Sequence, residues 1–328
     1  MKNQSPWLDH QVLIYLGILV VLAAVTMYAS RNILFRPWTS RRWVSAVSAD
    51  EKIYTIGGIN KYNRLEDDII CIDLKENTLK RTGKLPSPRY GAGSAIIGGK
   101  LYIAGGYDFH VYLDQILVFD PEEKELRQIG TLPGPRAFGQ LVAVNGFLYY
   151  ISGWNGKKIT DDIIKIDPDS GETASHALSF PPMELFTACI YKNIVYIIGG
   201  ENTDRENVNI LYKFDPEKNT VLAEGVLPQS RCRVPAAVQD DTLYIIGGWD
   251  GGVLTDILKG DCTAAELELE YMGEFKDDSS DLALVSSGDF LYLLGGTESR
   301  YRRQLRIIQI DPEDFSSTSL ILKSYSWW

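Results

Sequence analysis

One short apolar motif recurs six times along the chain and strongly limits the fold. Each copy has a tyrosine three residues before a pair made of glycine and a second small residue, and the copies read KIYTIGG, KLYIAGG, FLYYISG, IVYIIGG, TLYIIGG and FLYLLGG. Their tyrosines are Tyr54, Tyr102, Tyr149, Tyr196, Tyr244 and Tyr292. The spacing is about 48 residues throughout, which predicts one structural unit per repeat.

A second apolar run follows in every unit and ends in an aspartate. The six acids are Asp73, Asp120, Asp167, Asp215, Asp261 and Asp311. Apolar residues two apart precede them, as at Ile70 and Ile72, which is a strand pattern rather than a helical one. Proline follows four of the acids, and this combination favours a tight turn in which the carboxylate accepts backbone protons. We therefore interpret these acids as hairpin residues and not as catalytic ones.

Each unit contains four apolar or alternating runs, which predicts four antiparallel strands. Four such strands per repeat make a propeller blade, so the chain is predicted to be an all-β, six-bladed propeller. The double glycines then have a structural role, because a backbone without Cβ can turn sharply and approach its neighbours closely.

Over residues 39 to 328 the chain resembles the kelch-repeat family, whose units carry a double glycine, a strand and turn, and a Pro and Arg element. The chain departs from the family pattern in the fourth strand, where the usual tryptophan is replaced by aliphatic residues such as Leu79 and Val221. The resemblance implies a divergent six-bladed kelch-type β-propeller that acts as a protein-protein interaction module.

A different kind of segment precedes the repeats. Residues 12 to 29 contain no charged side chain, and at about 1.5 Å per residue a helix of this length approaches the thickness of a bilayer core. We predict a tail at 1–10, a single transmembrane helix at 11–30, a juxtamembrane linker at 31–43 and the propeller at 44–328. A secretory signal peptide is the competing interpretation, but residues 27 to 29 provide no convincing cleavage site.

Flanking charge favours a cytoplasmic propeller on a single-pass membrane protein. Arg31, Arg36, Arg41 and Arg42 follow the apolar segment, whereas only Lys2 precedes it, and positive charge tends to stay on the cytoplasmic side. The four cysteines show no paired spacing and are expected to be thiols. The alternative is an anchor that exports the propeller.

The propeller is acidic. The chain has 33 basic and 43 acidic residues. Residues 1 to 43 contain five of the basic residues and one of the acidic residues, so the remainder has a formal charge of −14. Phosphate backbones repel such a surface, so we expect no nucleic-acid binding.

One repeat position is often basic. The residues that stand 16 positions before the first residue of each glycine pair are Arg41, Arg89, Arg136, Met183, Arg231 and Ser279. The position lies in the loop before the innermost strand, so the four arginines are predicted to surround one mouth of the central channel as part of a binding face. The alternative is that these arginines bind backbone carbonyls and serve the fold.

The loops between second and third strands fall on the same face and are rich in aromatic residues. We assign Tyr107, Trp154, Trp249 and Tyr301 to the binding face. Rings beside arginines suit a protein partner, including another membrane protein, and carbohydrate is the alternative ligand.

An enzyme is disfavoured. The three histidines are distant in sequence and form no metal-ligand pattern, and we assign no catalytic residue, metal or cofactor. Sialate-like sugar mutarotases also resemble six-bladed kelch propellers, and this resemblance implies an alternative that needs an acid or base and an arginine for the sugar carboxylate, for which Glu184, Glu201 and Arg205 lie on suitable loops.

Overall fold

A computed structural model describes residues 41–60, 62–177, 180–276, 280–297, 307–320 and 322–324. The strands in chain order are β1 (Arg41–Arg42), β2 (Ser45–Ala49), β3 (Lys52–Ile56), β4 (Ile59–Asn60), β5 (Asp68–Asp73), β6 (Thr78–Lys84), β7 (Gly93–Ile97), β8 (Lys100–Ala104), β9 (Gln115–Asp120), β10 (Glu125–Thr131), β11 (Gln140–Val144), β12 (Phe147–Ile151), β13 (Asp162–Ile166), β14 (Thr173–Ala177), β15 (Thr187–Tyr191), β16 (Ile194–Ile198), β17 (Ile210–Asp215), β18 (Thr220–Val226), β19 (Ala236–Gln239), β20 (Thr242–Trp249), β21 (Val253–Asp261), β22 (Glu270–Glu274), β23 (Ser280–Ser287), β24 (Phe290–Thr297), β25 (Ile307–Ile310), β26 (Ser317–Ser319) and β27 (Lys323–Ser324).

These strands form six antiparallel blades, each built from a contiguous stretch of chain. Blade 1 consists of β2, β3, β5 and β6, and the five later blades are β7–β10, β11–β14, β15–β18, β19–β22 and β23–β26. The innermost strands of neighbouring blades contact one another around the ring, including β2 of blade 1 with β23 of blade 6. The prediction of an all-β six-bladed propeller is confirmed.

The apolar core lies between the blades. Each hydrophobic cluster combines residues of two adjacent blades, as where Ile56 and Ile69 of blade 1 pack with Leu101, Ile103 and Phe119 of blade 2. Central strands are therefore buried on both faces, which explains why the second and third strands read as nearly continuous apolar runs. The six repeat tyrosines are all buried and belong to this scaffold.

The aspartate that ends each third strand acts as predicted. Asp120 Oδ1 accepts hydrogen bonds from the backbone N–H groups of Glu122 and Glu123, at 3.0 and 3.2 Å. The equivalent bonds recur in the other five blades. The backbone donors hold the pKa of Asp120 below its ordinary value, so this carboxylate is ionised and engaged in the turn.

Two features lie at the ends of the described chain. Arg41 and Arg42, which were predicted to lie in the linker, form β1 and pair with β4, which lies between β3 and β5 of blade 1. At the other end, β27 pairs in parallel with β6, the outermost of the four strands of blade 1. The first and last described segments therefore both contact the region of blade 1.

The structure describes no helix that is long and apolar enough to cross a membrane. The predicted transmembrane helix at 11–30, together with the tail and most of the linker, lies outside the described residues.

Candidate functional site

The four repeat arginines are buried, which corrects the prediction that they present guanidinium groups on a binding face. Arg89 and Arg231 are fully buried and Arg41 and Arg136 nearly so. In blade 5, Arg231 donates to Gly247 O at 2.9 Å and to both oxygens of Asp256, at 2.7 and 2.8 Å. These arginines serve the fold, as the alternative interpretation held.

The same pattern holds in the other three blades that carry the arginine. Arg41 binds Gly57 O and Asp68, Arg89 binds Gly105 O and Gln115, and Arg136 binds Thr160 and Asp162. In each case the partner on the third strand lies about 26 residues after the arginine. That acid or amide was the sequence signal that would have identified a buried pair.

We use the term mouth face for the side of the propeller that carries the loops before the first strands and the loops between second and third strands. Backbone bridges join these two loop sets within the blades, as between Tyr90 and Tyr107 and between Ala137 and Trp154. The predicted coincidence of the two loop sets on one face is therefore observed in these blades.

Six residues with left-handed backbone conformation line the channel at this face. They stand two positions after each repeat-arginine position and are Trp43, Gly91, Phe138, Leu185, Arg233 and Asp281, with φ between 53° and 63°. Five of them carry side chains, for which this conformation is unfavourable. Backbone hydrogen bonds from Phe138 N to Gly91 O, from Leu185 N to Phe138 O and from Arg233 N to Leu185 O help to hold it.

Three of these side chains meet across the channel mouth. The Trp43 ring of blade 1 lies 5.6 Å from the Phe138 ring of blade 3, and the Arg233 guanidinium of blade 5 lies 4.8 Å from the same indole. Arg233 also pairs with Asp281 at 3.3 Å. Residues from alternate blades thus converge and help to line a cavity of about 420 Å³ between the innermost strands. Sequence reasoning did not select any of these residues.

Aromatic residues extend from the mouth over blades 2 and 3. The rings of Tyr90 and Tyr107 lie 5.7 Å apart, and Tyr107 stacks on Tyr112 with centroids separated by 4.4 Å. Phe109, at the loop tip, is exposed and lies 5.5 Å from Tyr90. We call Trp43, Tyr90, Tyr107, Phe109, Tyr112 and Phe138 the aromatic cluster.

The other predicted aromatic residues that the structure describes border the aromatic cluster on the mouth face. Trp154 and Trp249 are half-buried, and each has an arginine over its ring: Arg205 lies 4.6 Å from Trp154, and Arg233 lies 5.7 Å from Trp249. Tyr301 lies outside the described residues. The structure thus places Tyr107, Trp154 and Trp249 on one face and links them: the Trp154 side chain donates a hydrogen bond to Tyr112, which stacks on Tyr107, and Arg233 lies over both Trp43 and Trp249.

Glu184, Glu201 and Arg205, the residues of the mutarotase alternative, come together in blade 4. Arg205 Nη1 lies 2.5 Å from Glu184 Oε1 and 2.8 Å from Glu201 Oε1. Burial raises the pKa of Glu184 above its ordinary value, and the Arg205 charge opposes this shift. Within the described ranges, no three His, Cys, Asp or Glu side chains are grouped so that they could hold a metal ion.

Comparison with known proteins identifies the family. The profile of the KLHDC2/KLHL20/DRC7 Kelch-repeats domain matches residues 29–173, and the Kelch motif matches residues 184–221 and 230–259. This chain belongs to the kelch-repeat family. Kelch propellers typically act as protein-protein interaction modules.

Individual relatives match only parts of the chain. Kelch repeat and BTB domain-containing protein 2 of cowpox virus (strain Brighton Red) is 26% identical over 137 residues, or 41% of this chain and 24% of that protein. Kelch-like protein 40 of Mus musculus is 28% identical over 110 residues, or 34% of this chain and 18% of that protein. The kelch-repeat chain thus spans about a quarter or less of the length of these relatives.

A solved structure titled "Structure of YjhT" shares the fold. It superposes with a TM-score of 0.73 at 16% sequence identity and covers 87% of this chain and 98% of that one. At this identity the likeness concerns the fold alone.

Proposed function

We propose that this kelch propeller is a membrane-anchored interaction module that binds a protein partner through its mouth face. The observation that carries the proposal is the aromatic cluster, in which partly exposed rings from blades 1, 2 and 3 form one continuous group. Aromatic rings bury much area with little loss of side-chain entropy, and interfaces are enriched in them. The buried arginines take no part in this surface.

Photo-crosslinking tests the partner. A photoreactive residue at Phe109, on the mouth face, is expected to trap a stoichiometric protein when the full chain is extracted in mild detergent. The same residue at Tyr271, an exposed aromatic on the outer strand of blade 5, is the matched control. The proposal would be contradicted if the chain is monomeric and no protein crosslinks at Phe109, or if Phe109 and Tyr271 crosslink to the same extent.

The membrane anchor at 11–30 and a cytoplasmic propeller complete the proposal. They rest on the uncharged segment and on the arginines that follow it. We expect the full chain to resist extraction by alkaline carbonate, deletion of residues 1–30 to release it, and protease added to sealed vesicles with the cytoplasmic side outward to digest the propeller. Extraction of the full chain by carbonate would refute the anchor. Protection of the propeller from protease would refute the cytoplasmic orientation.

Sugar mutarotation is a second candidate, favoured by the contact of Arg205 with a buried carboxyl group of raised pKa, Glu184. A carboxyl group can donate or accept the proton that anomer exchange requires. The assay is the rate of anomer exchange of an anionic sugar. A catalysed rate that is lost in Glu184→Gln would establish the enzyme, and exchange no faster than in buffer would exclude it.

A further inference from the structure

Blade 4 differs from the other described blades at one repeated position on the mouth face. There, the residue after the repeat-arginine position pairs through the backbone with a residue of the loop between second and third strands. The pairs are Arg42–Ile59, Tyr90–Tyr107, Ala137–Trp154, Glu184–Glu201 and Cys232–Trp249. Only the pair of blade 4, among these five, consists of two carboxylates. Like charges directly opposite one another destabilise a sheet, so this pair needs a cation.

The backbone fixes both carboxylates in place. Glu184 N donates to Glu201 O at 3.0 Å, and Glu201 N donates to Glu184 O at 2.8 Å. The side chain of Glu184 is 5% exposed and that of Glu201 is 20% exposed. The acceptor groups are thus preorganised by the sheet.

A guanidinium group occupies this pair, and it comes from the protein itself. Arg205 Nη1 contacts both carboxylates, and Arg205 Cζ lies 4.6 Å from the centroid of Trp154, a residue of blade 3. The two carboxylates accept hydrogen bonds from the N–H groups in the plane of the guanidinium, and the indole ring contacts its face through a cation–π interaction. We call these three residues, Trp154 of blade 3 and Glu184 and Glu201 of blade 4, the guanidinium site.

The bound cation is held less firmly than the groups that receive it. Arg205 is 55% exposed and stands at the tip of the loop 202–206, with φ of 65°. The loop is closed by local hydrogen bonds from the backbone of Asp204 and Glu206 to Asn202. A side chain at such a tip can leave without disturbing the strands, whereas Glu184 is buried and its backbone is held by the bridge.

The loops of blades 4 and 5 at the site are acidic. The segments 199–209 and 247–256 carry the acids Glu201, Asp204, Glu206, Asp250 and Asp256, and Arg205 is their one basic residue. The blade 3 loop that carries Trp154 adds Lys157, Lys158 and Asp161, and Lys158 pairs with Asp161 at 3.3 Å. Asp256 is committed to the buried Arg231. The remaining acids lie in loops of the mouth face beside the guanidinium site.

We propose that Trp154, Glu184 and Glu201 form a binding site for an arginine side chain of the partner, and that Arg205 closes this site until the partner displaces it. This inference rests on the proposed interaction function and specifies the chemistry of the partner. Lysine is a poorer ligand, because a compact ammonium group lacks the planar fork and stacks less well on indole.

The test uses the full chain in detergent micelles, labelled with 5-fluorotryptophan, and fluorine NMR. The chain has seven tryptophans, and Trp154→Phe assigns the resonance of Trp154. The probe is N-acetyl-argininamide, compared with N-acetyl-lysinamide. Arg205→Ala opens the site, and the triple variant Arg205→Ala, Glu184→Gln, Glu201→Gln removes the acceptor charges with little change of shape. Lys157→Ala, which removes an exposed cation on the loop of blade 3, is the matched control.

In Arg205→Ala we expect a saturable shift of the Trp154 resonance with the arginine probe and a weaker response to the lysine probe. The wild type, the Lys157→Ala control and the triple variant should each bind the arginine probe at least about tenfold more weakly than Arg205→Ala does. Tenfold is equivalent to about 1.4 kcal/mol of binding free energy. No saturable shift in Arg205→Ala, or an equal shift in the triple variant, would overturn the proposal. The resonances of Trp43 and Trp249, which lie in the described propeller, report its folding. If Arg205→Ala is unfolded, Arg205→Gln keeps the reach of the side chain without its charge.

The probe needs no partner, so this result is separate from the crosslinking test. Arginine binding without a crosslinked protein would contradict the interaction function alone, and a crosslinked protein without arginine binding would contradict the arginine site alone.

Discussion

At the residue level, the buried arginines account for two spacings that recur between the repeats of this chain. Arg231 lies 16 residues before Gly247 and 25 before Asp256, and it binds both. Its own carbonyl accepts a hydrogen bond from Gly200 N of the preceding blade at 2.9 Å. One residue therefore joins the glycine turn and the third strand of its own blade and contacts the preceding blade through its backbone.

Replacement of Arg231 by alanine is expected to destabilise the propeller by about 3–5 kcal/mol, because Asp256, which is 19% exposed, would keep its charge without a partner. Urea unfolding measures the change in free energy. The control Arg127→Ala, at an exposed position of β10, should cost far less. A double variant, Arg231→Met with Asp256→Leu, should recover part of the loss. Equal losses in Arg231→Ala and Arg127→Ala would contradict the structural role.

Gln115 takes the place of the aspartate in blade 2. Arg89 donates to Gln115 Oε1 at 2.7 Å, and burial lowers the pKa of Arg89 to about 10. Gln115→Glu supplies a carboxylate to this buried cation and is expected to stabilise the chain by about 1 kcal/mol, measured by urea unfolding at neutral pH. The control is Thr318→Glu, which adds the same charge at an exposed position of β26. A loss of stability in Gln115→Glu would show that Arg89 is satisfied by neutral partners.

Residue identity alone predicted the hairpin acids but not the environment of the arginines. Asp120 acts on the backbone two and three residues later, so its role is local and visible in sequence. The partner of Arg89 lies on another strand, and its burial depends on how blades pack. For the same reason Trp43 and Arg233 were missed, since their contact joins blades that are far apart in sequence.

At the scale of elements, the double glycine is required by the neighbouring blade. A Cβ built on Gly105 would collide with the carbonyl oxygen of Arg136, and Gly105 has φ of 68°. The same collision recurs between Gly57 and Arg89 and between Gly199 and Arg231. Sequence predicted a close approach at these glycines; the group that approaches, the arginine carbonyl of the next blade, became known only from the structure.

Gly105→Ala separates the two costs of a side chain at this position when it is compared with Gly98→Ala. Gly98 has φ of 55° but no atom within 4 Å of a built Cβ. Alanine at this position should therefore lower the free energy of unfolding only by the cost of the left-handed backbone, about 1–2 kcal/mol. Gly105→Ala adds the collision and should cost clearly more in urea unfolding. Equal costs would mean that the blades adjust to admit the methyl group.

At the scale of the whole propeller, the first and last blades are joined by contacts of several kinds. Ser48 Oγ donates to Ser286 O at 2.7 Å, and Ser287 Oγ donates to Asp50 O at 2.6 Å. A Cβ built on Gly295 of blade 6 would lie 2.6 Å from Arg41 O. Each blade of a closed ring has two neighbours, so the fold has no terminal repeat from which unfolding can begin.

The four cysteines provide a direct test of this closure. Cys71 lies in blade 1, Cys189 in blade 4, and Cys232 and Cys262 in blade 5, and all are buried free thiols. Burial raises the pKa of Cys189 to about 12 and that of Cys232 to about 11, so neither forms the reactive thiolate at pH 8 while folded.

Pulsed alkylation at increasing urea, read by mass spectrometry, is expected to show all four thiols becoming reactive in one transition. Ser48→Ala combined with Ser287→Ala removes these two side-chain hydrogen bonds between blades 6 and 1, and in this variant Cys71 should react at lower urea than Cys189. The control Thr203→Ala, at an exposed loop position of blade 4, should leave the transitions coincident. Earlier reaction of Cys71 in the wild type would mean that the ring opens at blade 1 before the other blades unfold.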